Sequence, residues 1–422
     1  MKFNLDYNSA SFFVDLLALT LLIIPLLWVF RKTLARHILY IFSGIYLLSF
    51  IAPRLAVFYL FYWLIVSALQ RAVYITEHKA VSQPDNLSAA AVSRLVFWCA
   101  IILTLIPMLY WKIDEWSLVT FINLHANDTL ALLNKTIWEI DLTRNIYAPI
   151  GLSFATFRAL DLIIKTYLGL IGKLSVDRLL FYGFFPPVLV VGPIIEYEEI
   201  SDKNDHPGVP APDDLLNGGF RTAWGFFKVL FLTSLLQPST MILSHYQGQD
   251  VLTIWIYLFV YTWFFYINFS GYSDIAIGLA RLHGYKLKEN FNNPFFARNV
   301  VEFWSGWHIS LYRFARRNIF VPLGGYRKEK HIFAIACTMV AIALWHSLSP
   351  SMVVYGFYHA AGVIANRHFS EWRTKKGIKL DHPLAQALCI FVTYLFVGFA
   401  FPLITLPLGT AMSFYAALLG IT

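Results

Sequence analysis

Long apolar runs broken by short polar stretches occupy most of the chain, and runs of this length predict helices embedded in lipid. The first, Ser11–Phe30, spans twenty residues with one acid, Asp15, near its start, and Arg31, Lys32 and Arg36 follow at once. A basic leader and a small-residue cleavage site are not evident, so this reads as a retained helix and not a signal peptide. The basic cluster puts its C-terminal end in the cytosol and the N-terminus outside. Two shorter runs, Ile38–Ala52 and Leu55–Leu69, hinge at Pro53-Arg54. The polar stretch Arg71–Arg94 then returns to the cytosolic side, and Leu95–Trp111 crosses outward. Lys112–Tyr147 holds five acids against three bases, as an external segment does. Part of it, Val119–Trp138, is expected on the membrane surface.

After Ala148 the pattern is less regular. Ala148–Leu170 is apolar yet holds Arg158, Asp161 and Lys165, and Leu179–Ile195 contains Pro186-Pro187 and Gly192-Pro193, which argue against one straight helix. Glu196–Asp214 is an acidic loop with seven acids and one lysine. Further apolar runs cover Phe220–Leu236, Val251–Phe269, Ile332–Ala365 and Leu384–Leu419. The last two are too long for one crossing each, since a span takes about 20 residues. The pattern predicts an all-α, polytopic membrane protein with roughly ten to twelve membrane segments, some of them re-entrant. A single embedded domain is expected over residues 1–422, with N-terminal helices over 1–111 and a core over 149–419. No internal repeat is visible.

Composition supports lipid as the solvent. Of 422 residues, 58% are hydrophobic and only 14% charged, whereas a soluble domain carries about a quarter charged residues. Aromatics reach 17%, which suits interfacial belts. The net charge of +8 follows from the bias of basic residues toward cytosolic loops, so no nucleic-acid partner is expected. Cys99, Cys337 and Cys389 all lie in apolar stretches and read as small buried hydrophobes, not disulfides or metal ligands.

Ionisable residues inside membrane segments are costly, so chemistry is sought there first. His346 sits within Ile332–Ala365, flanked by Trp345 and Ser347. On a helix starting at Ile332, fourteen residues of rise place it about 21 Å into a core about 30 Å thick, and Pro350 breaks or kinks the helix nearby. A desolvated imidazole at that depth stays neutral, and a neutral imidazole can take a proton as a general base. A histidine hydrogen-bonded between packed helices has the same pattern, and position alone leaves both open. His308 lies in Phe303–Ile319, where Trp304, Trp307, His308, Leu311 and Phe314 or Ala315 share one helical face. Arg313, Arg316 and Arg317 share another, as in an interfacial helix. His359 reads as structural. Arg313, Arg316, Arg317, Arg327, Lys328 and Lys330 form a basic group that would suit donor phosphates or lipid headgroups. The polar run Asn268–Asp274, containing Ser270, ends an apolar segment and reads locally as the cap of a broken helix. No Walker loop, zinc-like spacing or nucleophile elbow is present.

Together these residues resemble the membrane-bound O-acyltransferase family, over roughly Pro149–Leu419 and most strongly from Asn268 to His359. Pro149 to Arg158 (PIGLSFATFR) is similar to the family's GxSFxTF segment, and Phe184-Phe185-Pro186 with Gly192-Pro193-Ile194 to its FFP…GPI element. Asn268 to Gly278 (NFSGYSDIAIG), Asn290 to Pro294 (NFNNP) and Phe303 to Leu311 (FWSGWHISL) follow the bacterial signature. Val321 to Gly325 (VPLGG) and Trp345-His346 complete the order. One departure stands at Ser347, where the family has glycine after the Trp-His pair; glycine allows closer backbone approach.

The resemblance implies a ring of helices enclosing a tunnel, with His346 as the essential histidine and His308 as the second. It implies acyl transfer from a cytosolic thioester to a hydroxyl, with no bound cofactor. The co-substrate would be acetyl-CoA or a phosphopantetheine carrier protein. Asn268, Ser270, Asp274, Trp304, Ser310, Trp345, Arg313 and Arg317 are the expected substrate contacts. The VPLGG segment resembles alginate and related polysaccharide O-acetyltransferases, and Tyr355 to Ala360 (YGFYHA) the teichoic acid D-alanyl transfer protein. A bacterial inner-membrane location, contact with membrane lipid and a periplasmic or extracellular acyltransferase partner are implied as well. A transporter or flippase with polar residues at the midplane is the rival from another class; the ordered motifs and the lack of a repeat count against it.

Overall fold

The computed structural model describes residues 10–29, 33–114, 151–201, 210–241 and 245–421, and these contain helices and no strand. Arg31, Lys32, Lys112–Tyr147 from residue 115 on (including Val119–Trp138), the start of the PIGLSFATFR segment and residues 202–209 of the acidic loop lie outside the described residues. Five helices are long and apolar enough to cross a membrane: Thr33–Ile51, Pro53–Ser82, Leu87–Lys112, Val251–Leu282 and Pro383–Thr405. Shorter apolar helices are Asp15–Val29, His331–His346 and Leu408–Leu418. Large apolar side chains such as Leu21, Phe42, Phe61, Leu103, Phe259 and Phe391 stand exposed on outer faces. Such faces suit lipid and not water, as expected of a multi-pass membrane protein.

The chain forms two compact units: Met1–Asp214 with Leu279–Tyr285, and Leu215–Gly278 with Lys286–Thr422. In the first, the hinge at Pro53 opens the helix Pro53–Ser82, with proline in the first turn where its missing N–H is harmless. That helix continues past Arg71, so much of the polar stretch after Leu69 is helical. Hydropathy marks where the apolar run ends, but no breaker precedes Gln83-Pro84. Asn86 then starts the next helix by accepting the Ala89 N–H at 3.1 Å. Cys99, expected to be buried, is exposed on that helix. A spanning helix can be apolar all round, so an apolar neighbourhood in sequence does not report burial.

Charges on the helix Leu152–Tyr167 point inward. Arg158 is buried with its guanidinium 4.5 Å from the Tyr182 ring centre and 5.4 Å from that of Trp63. Lys165 Nζ meets Asp161 at 3.2 Å, Glu196 at 2.7 Å and Glu198 at 2.8 Å. Pairing of this kind lets an apolar segment carry ions. As the prolines require, Val176–Phe184 stops before Pro186-Pro187, and a single 3-10 turn follows.

The helix Val251–Leu282, of which residues 251–278 belong to the second unit, runs for 32 residues, about 48 Å, longer than a bilayer core of about 30 Å. The polar run Asn268–Asp274 does not cap a broken helix; the helix passes straight through it. Ser270, Ser273 and Asp274 bond to side chains outside this helix, while Asn268 bonds Tyr272 within it, and the backbone needs no cap there. A Cβ on Gly278 would come within 2.7 Å of Thr222 N, so the helix Pro212–Phe226 crosses here at close range. Ile332–Ala365 resolves into His331–His346 and Pro350–Lys375, and Leu384–Leu419 into Pro383–Thr405 and Leu408–Leu418. Each break falls just before or at a proline, Pro350 or Pro407.

Candidate active site

His346 is the last residue of its helix. Ser347 turns extended (φ −158°), and Ser349 caps the following helix by accepting the Met352 N–H at 3.4 Å, with Pro350 in its first turn. The imidazole therefore sits beside a chain break and not in mid-helix. Such breaks are tolerated at membrane depth only within protein or beside a cavity. From His331, the rise is about 22 Å.

His308 does not lie on one continuous amphipathic helix. Val300–Gly306 ends, Trp307 is extended, His308 is left-handed (φ +43°, ψ +54°), and Ile309–Ala315 begins after it. The expected face is nevertheless buried: Trp304, Trp307, His308, Leu311, Phe314 and Ala315 all lie inside. Left-handed backbone at a residue other than glycine costs about 1–2 kcal/mol, and the contacts of Asn290 offset it. Its carbonyl accepts the Ile309 N–H at 2.9 Å, and its side-chain Oδ1 accepts the Ser310 N–H at 3.2 Å. Both donors belong to the first turn of the new helix, where backbone N–H groups lack intrahelical partners.

Asn290 is wholly buried, and its side chain has further partners. Its Oδ1 accepts the Ser310 hydroxyl at 2.8 Å and lies 3.2 Å from His308 Nδ1, while its Nδ2 donates to Ser273 Oγ at 3.0 Å. Aromatic rings fix the imidazole from other sides: Phe269 meets it edge-on at 4.8 Å, and Trp345 lies 5.9 Å away. His308 lies outside the spanning helices. Burial first, and the neighbouring His346 second, push its pKa down to about 3, so the ring is neutral at pH 7.

His308 and His346, 38 residues apart in sequence, line one narrow cavity with Trp304, Leu311, Tyr355 and Phe401. The Trp345 ring is tilted against that of His346, with centres 4.5 Å apart. The structure thus brings together His346, His308, Ser310, Trp304 and Trp345 from the expected set. It places Ser270 and Asp274 in a different cluster, where Asp274 pairs with Lys228 at 2.7 Å and Arg221 at 3.1 Å, and Lys228 also reaches Ser270 at 3.3 Å. Arg221 continues to Glu289. A side-chain hydrogen bond joins Asn268 to Tyr272 on the same helix. Arg313, on the helix Ile309–Ala315, and Arg317, on the π-helical turn Arg316–Phe320 that follows it, are half-buried and do not line the cavity. Arg316, exposed, donates to the Tyr326 hydroxyl at 2.6 and 3.0 Å. His359 is buried beside Trp304, ring centres 5.1 Å apart.

Lys228, Arg221 and the role of Asn290 were not expected from sequence. Lys228 had a signal, an ammonium inside the apolar run Phe220–Leu236. Asn290 had none beyond its motif, because nothing periodic links it to His308 across an irregular loop.

Apolar spanning helices and an interior cavity lined by two histidines define a multi-pass membrane protein with a buried polar site. Residues 158–408 match the family model for the membrane-bound O-acyltransferase family. The chain belongs to that family. It is 31% identical over 254 residues to a probable alginate O-acetylase of Pseudomonas aeruginosa, covering 58% of this chain and 48% of the relative. A teichoic acid D-alanyltransferase of Bacillus subtilis is 28% identical over 270 residues, 61% of this chain and 68% of the relative. A peptidoglycan O-acetyltransferase of Helicobacter pylori is 29% identical over 231 residues, 53% and 42% respectively. The chain spans about half the length of the alginate O-acetylases it matches.

Proposed function

We propose that this protein is an O-acyltransferase of the bacterial cytoplasmic membrane. It moves an acyl group, preferentially acetyl, from a cytosolic thioester to a hydroxyl of an extracytoplasmic glycan or of a partner that acylates it. The observation that carries this is the convergence of His308 and His346, from separate segments, on one cavity. The hydroxyl oxygen attacks the thioester carbonyl carbon while His346 takes the hydroxyl proton. The C–S bond breaks, the proton passes to the departing thiolate, and an ester and a thiol are released. Aromatic walls keep water away and so suppress hydrolysis.

The similarity to alginate and peptidoglycan O-acetylating proteins supports an acetyl donor such as acetyl-CoA. Similarity to teichoic acid D-alanyltransferases supports a second reading, with D-alanine delivered from a phosphopantetheine carrier protein. The basic side chains Arg313, Arg316, Arg317 and Lys328 would suit nucleotide phosphates or an acidic carrier surface. Purified protein offered labelled acetyl-CoA, and separately labelled D-alanyl carrier protein, distinguishes the two. Consumption of the carrier alone would replace acetyl by D-alanyl, and consumption of neither would remove the acyltransferase proposal.

A further inference from the structure

The surroundings of His308 assign its proton. The amide of Asn290 is oriented by partners whose chemistry is unambiguous. The Ser310 backbone N–H can only donate, and it lies 3.2 Å from Asn290 Oδ1, so the oxygen of the amide faces that side. On the other side Asn290 Nδ2 donates to Ser273 Oγ. His308 Nδ1 lies 3.2 Å from the oriented oxygen. A lone pair on Nδ1 would there face the lone pairs of an acceptor, whereas an N–H would bond to it. Ser310 Oγ also approaches Nδ1, at 3.4 Å, but its single hydrogen has the shorter contact to Asn290 Oδ1 at 2.8 Å. Left-handed backbone at His308 holds the ring in this place.

We propose that Asn290 is a positioning residue that keeps His308 as the Nδ1–H tautomer, leaving Nε2 as the nitrogen with the lone pair. Neutral imidazole carries one N–H, so His308 offers substrate an acceptor and no donor. His308 therefore receives a hydrogen bond during transfer and does not stabilise the oxyanion of the tetrahedral intermediate. This consequence rests on the acyltransferase reading above; the tautomer itself does not.

The test is solid-state NMR of the full chain, labelled with ¹⁵N-histidine and held in lipid bilayers at neutral pH. Signals of His308 are identified by their loss in His308→Gln. The expected wild-type spectrum has hydrogen on Nδ1 and none on Nε2. Asn290→Asp keeps acceptor oxygens and is expected to retain the Nδ1 hydrogen, whereas Asn290→Leu lets the Nε2–H form appear. Transfer measured on the same samples is expected to fall by about tenfold or more in Asn290→Leu, with part recovered in Asn290→Asp. A wild-type His308 with hydrogen on Nε2, or on both nitrogens, overturns the proposal. So does an Asn290→Leu spectrum identical to wild type. If that variant does not accumulate, the wild type and Asn290→Asp still decide. The expected spectrum without transfer from any thioester would uphold the tautomer and sink the acyltransferase reading.

Discussion

Oδ1 of Asn290 stands 3.2 Å from Nδ1 of His308, across eighteen residues of sequence. That contact, with the Ile309 N–H donated to the Asn290 carbonyl and the Ser310 N–H donated to its Oδ1, fastens an irregular loop to the start of a helix. The helix in turn presents a histidine to the cavity that His346 also lines. Through Ser273 the same asparagine is tied to the long Val251–Leu282 helix.

The neighbouring ion cluster should respond unequally to loss of its members. Asp274 is the shared anion of Lys228 and Arg221, and both Asp274 and Lys228 are about 15% exposed. Breaking a fully buried pair costs about 3–5 kcal/mol and an exposed one at most about 1. Asp274→Asn is expected to lose about 2–3 kcal/mol, since it leaves Lys228 without a carboxylate and Arg221 with Glu289 alone. Lys228→Met should lose less, because Asp274 keeps Arg221. Thermal unfolding in detergent measures both, and equal losses would contradict the shared-anion arrangement.

A glycine sets how closely the His346 helix approaches the next one. A Cβ at Gly356 would stand 2.7 Å from Val340 Cα, a backbone atom that can yield only by moving its helix. Gly356→Ala is expected to destabilise by about 1–3 kcal/mol and to lower transfer as His346 shifts. Gly219, also helical, has open space around its Cβ position. Gly219→Ala should be neutral or stabilising, by up to about 1 kcal/mol. Opposite signs in thermal unfolding are the expected result; similar shifts would contradict it.

Sidedness follows from two consecutive spans. With the basic residues near Thr33 in the cytosol, Thr33–Ile51 leads outward and Pro53–Ser82 leads back. In a background lacking Cys99, Cys337 and Cys389, Arg54→Cys should react with an impermeant thiol reagent on intact cells. Thr33→Cys and Asp85→Cys should react only after permeabilisation. Labelling of positions 33 and 85 but not 54 in intact cells would invert the topology.

Much of this architecture is legible in the order of residues. Proline marks the breaks after His346 and before Leu408, and spacing alone separates Ile332–Ala365 into two helices. His346 is conspicuous because few ionisable groups enter an apolar run. Local pattern fails where long-range contacts decide. The helix Val251–Leu282 continues through Asn268–Asp274 because Lys228, Arg221 and Asn290 satisfy Ser270, Asp274 and Ser273 from outside it. His308 leaves the helical path because Asn290 bonds the next turn, a partner that helical periodicity cannot point to. Burial fails too, as at Cys99, because lipid-facing and protein-facing positions are equally apolar.

The rate of label transfer from acetyl-CoA to a hydroxyl acceptor, wild type against His346→Ala, tests the base assignment most directly. His346 ends its helix beside the cavity, so its loss removes proton acceptance at the place where the hydroxyl would be activated. The variant should unfold at nearly the wild-type temperature and transfer about 10²–10⁴-fold more slowly. Near-normal turnover by a folded His346→Ala protein would contradict the mechanism.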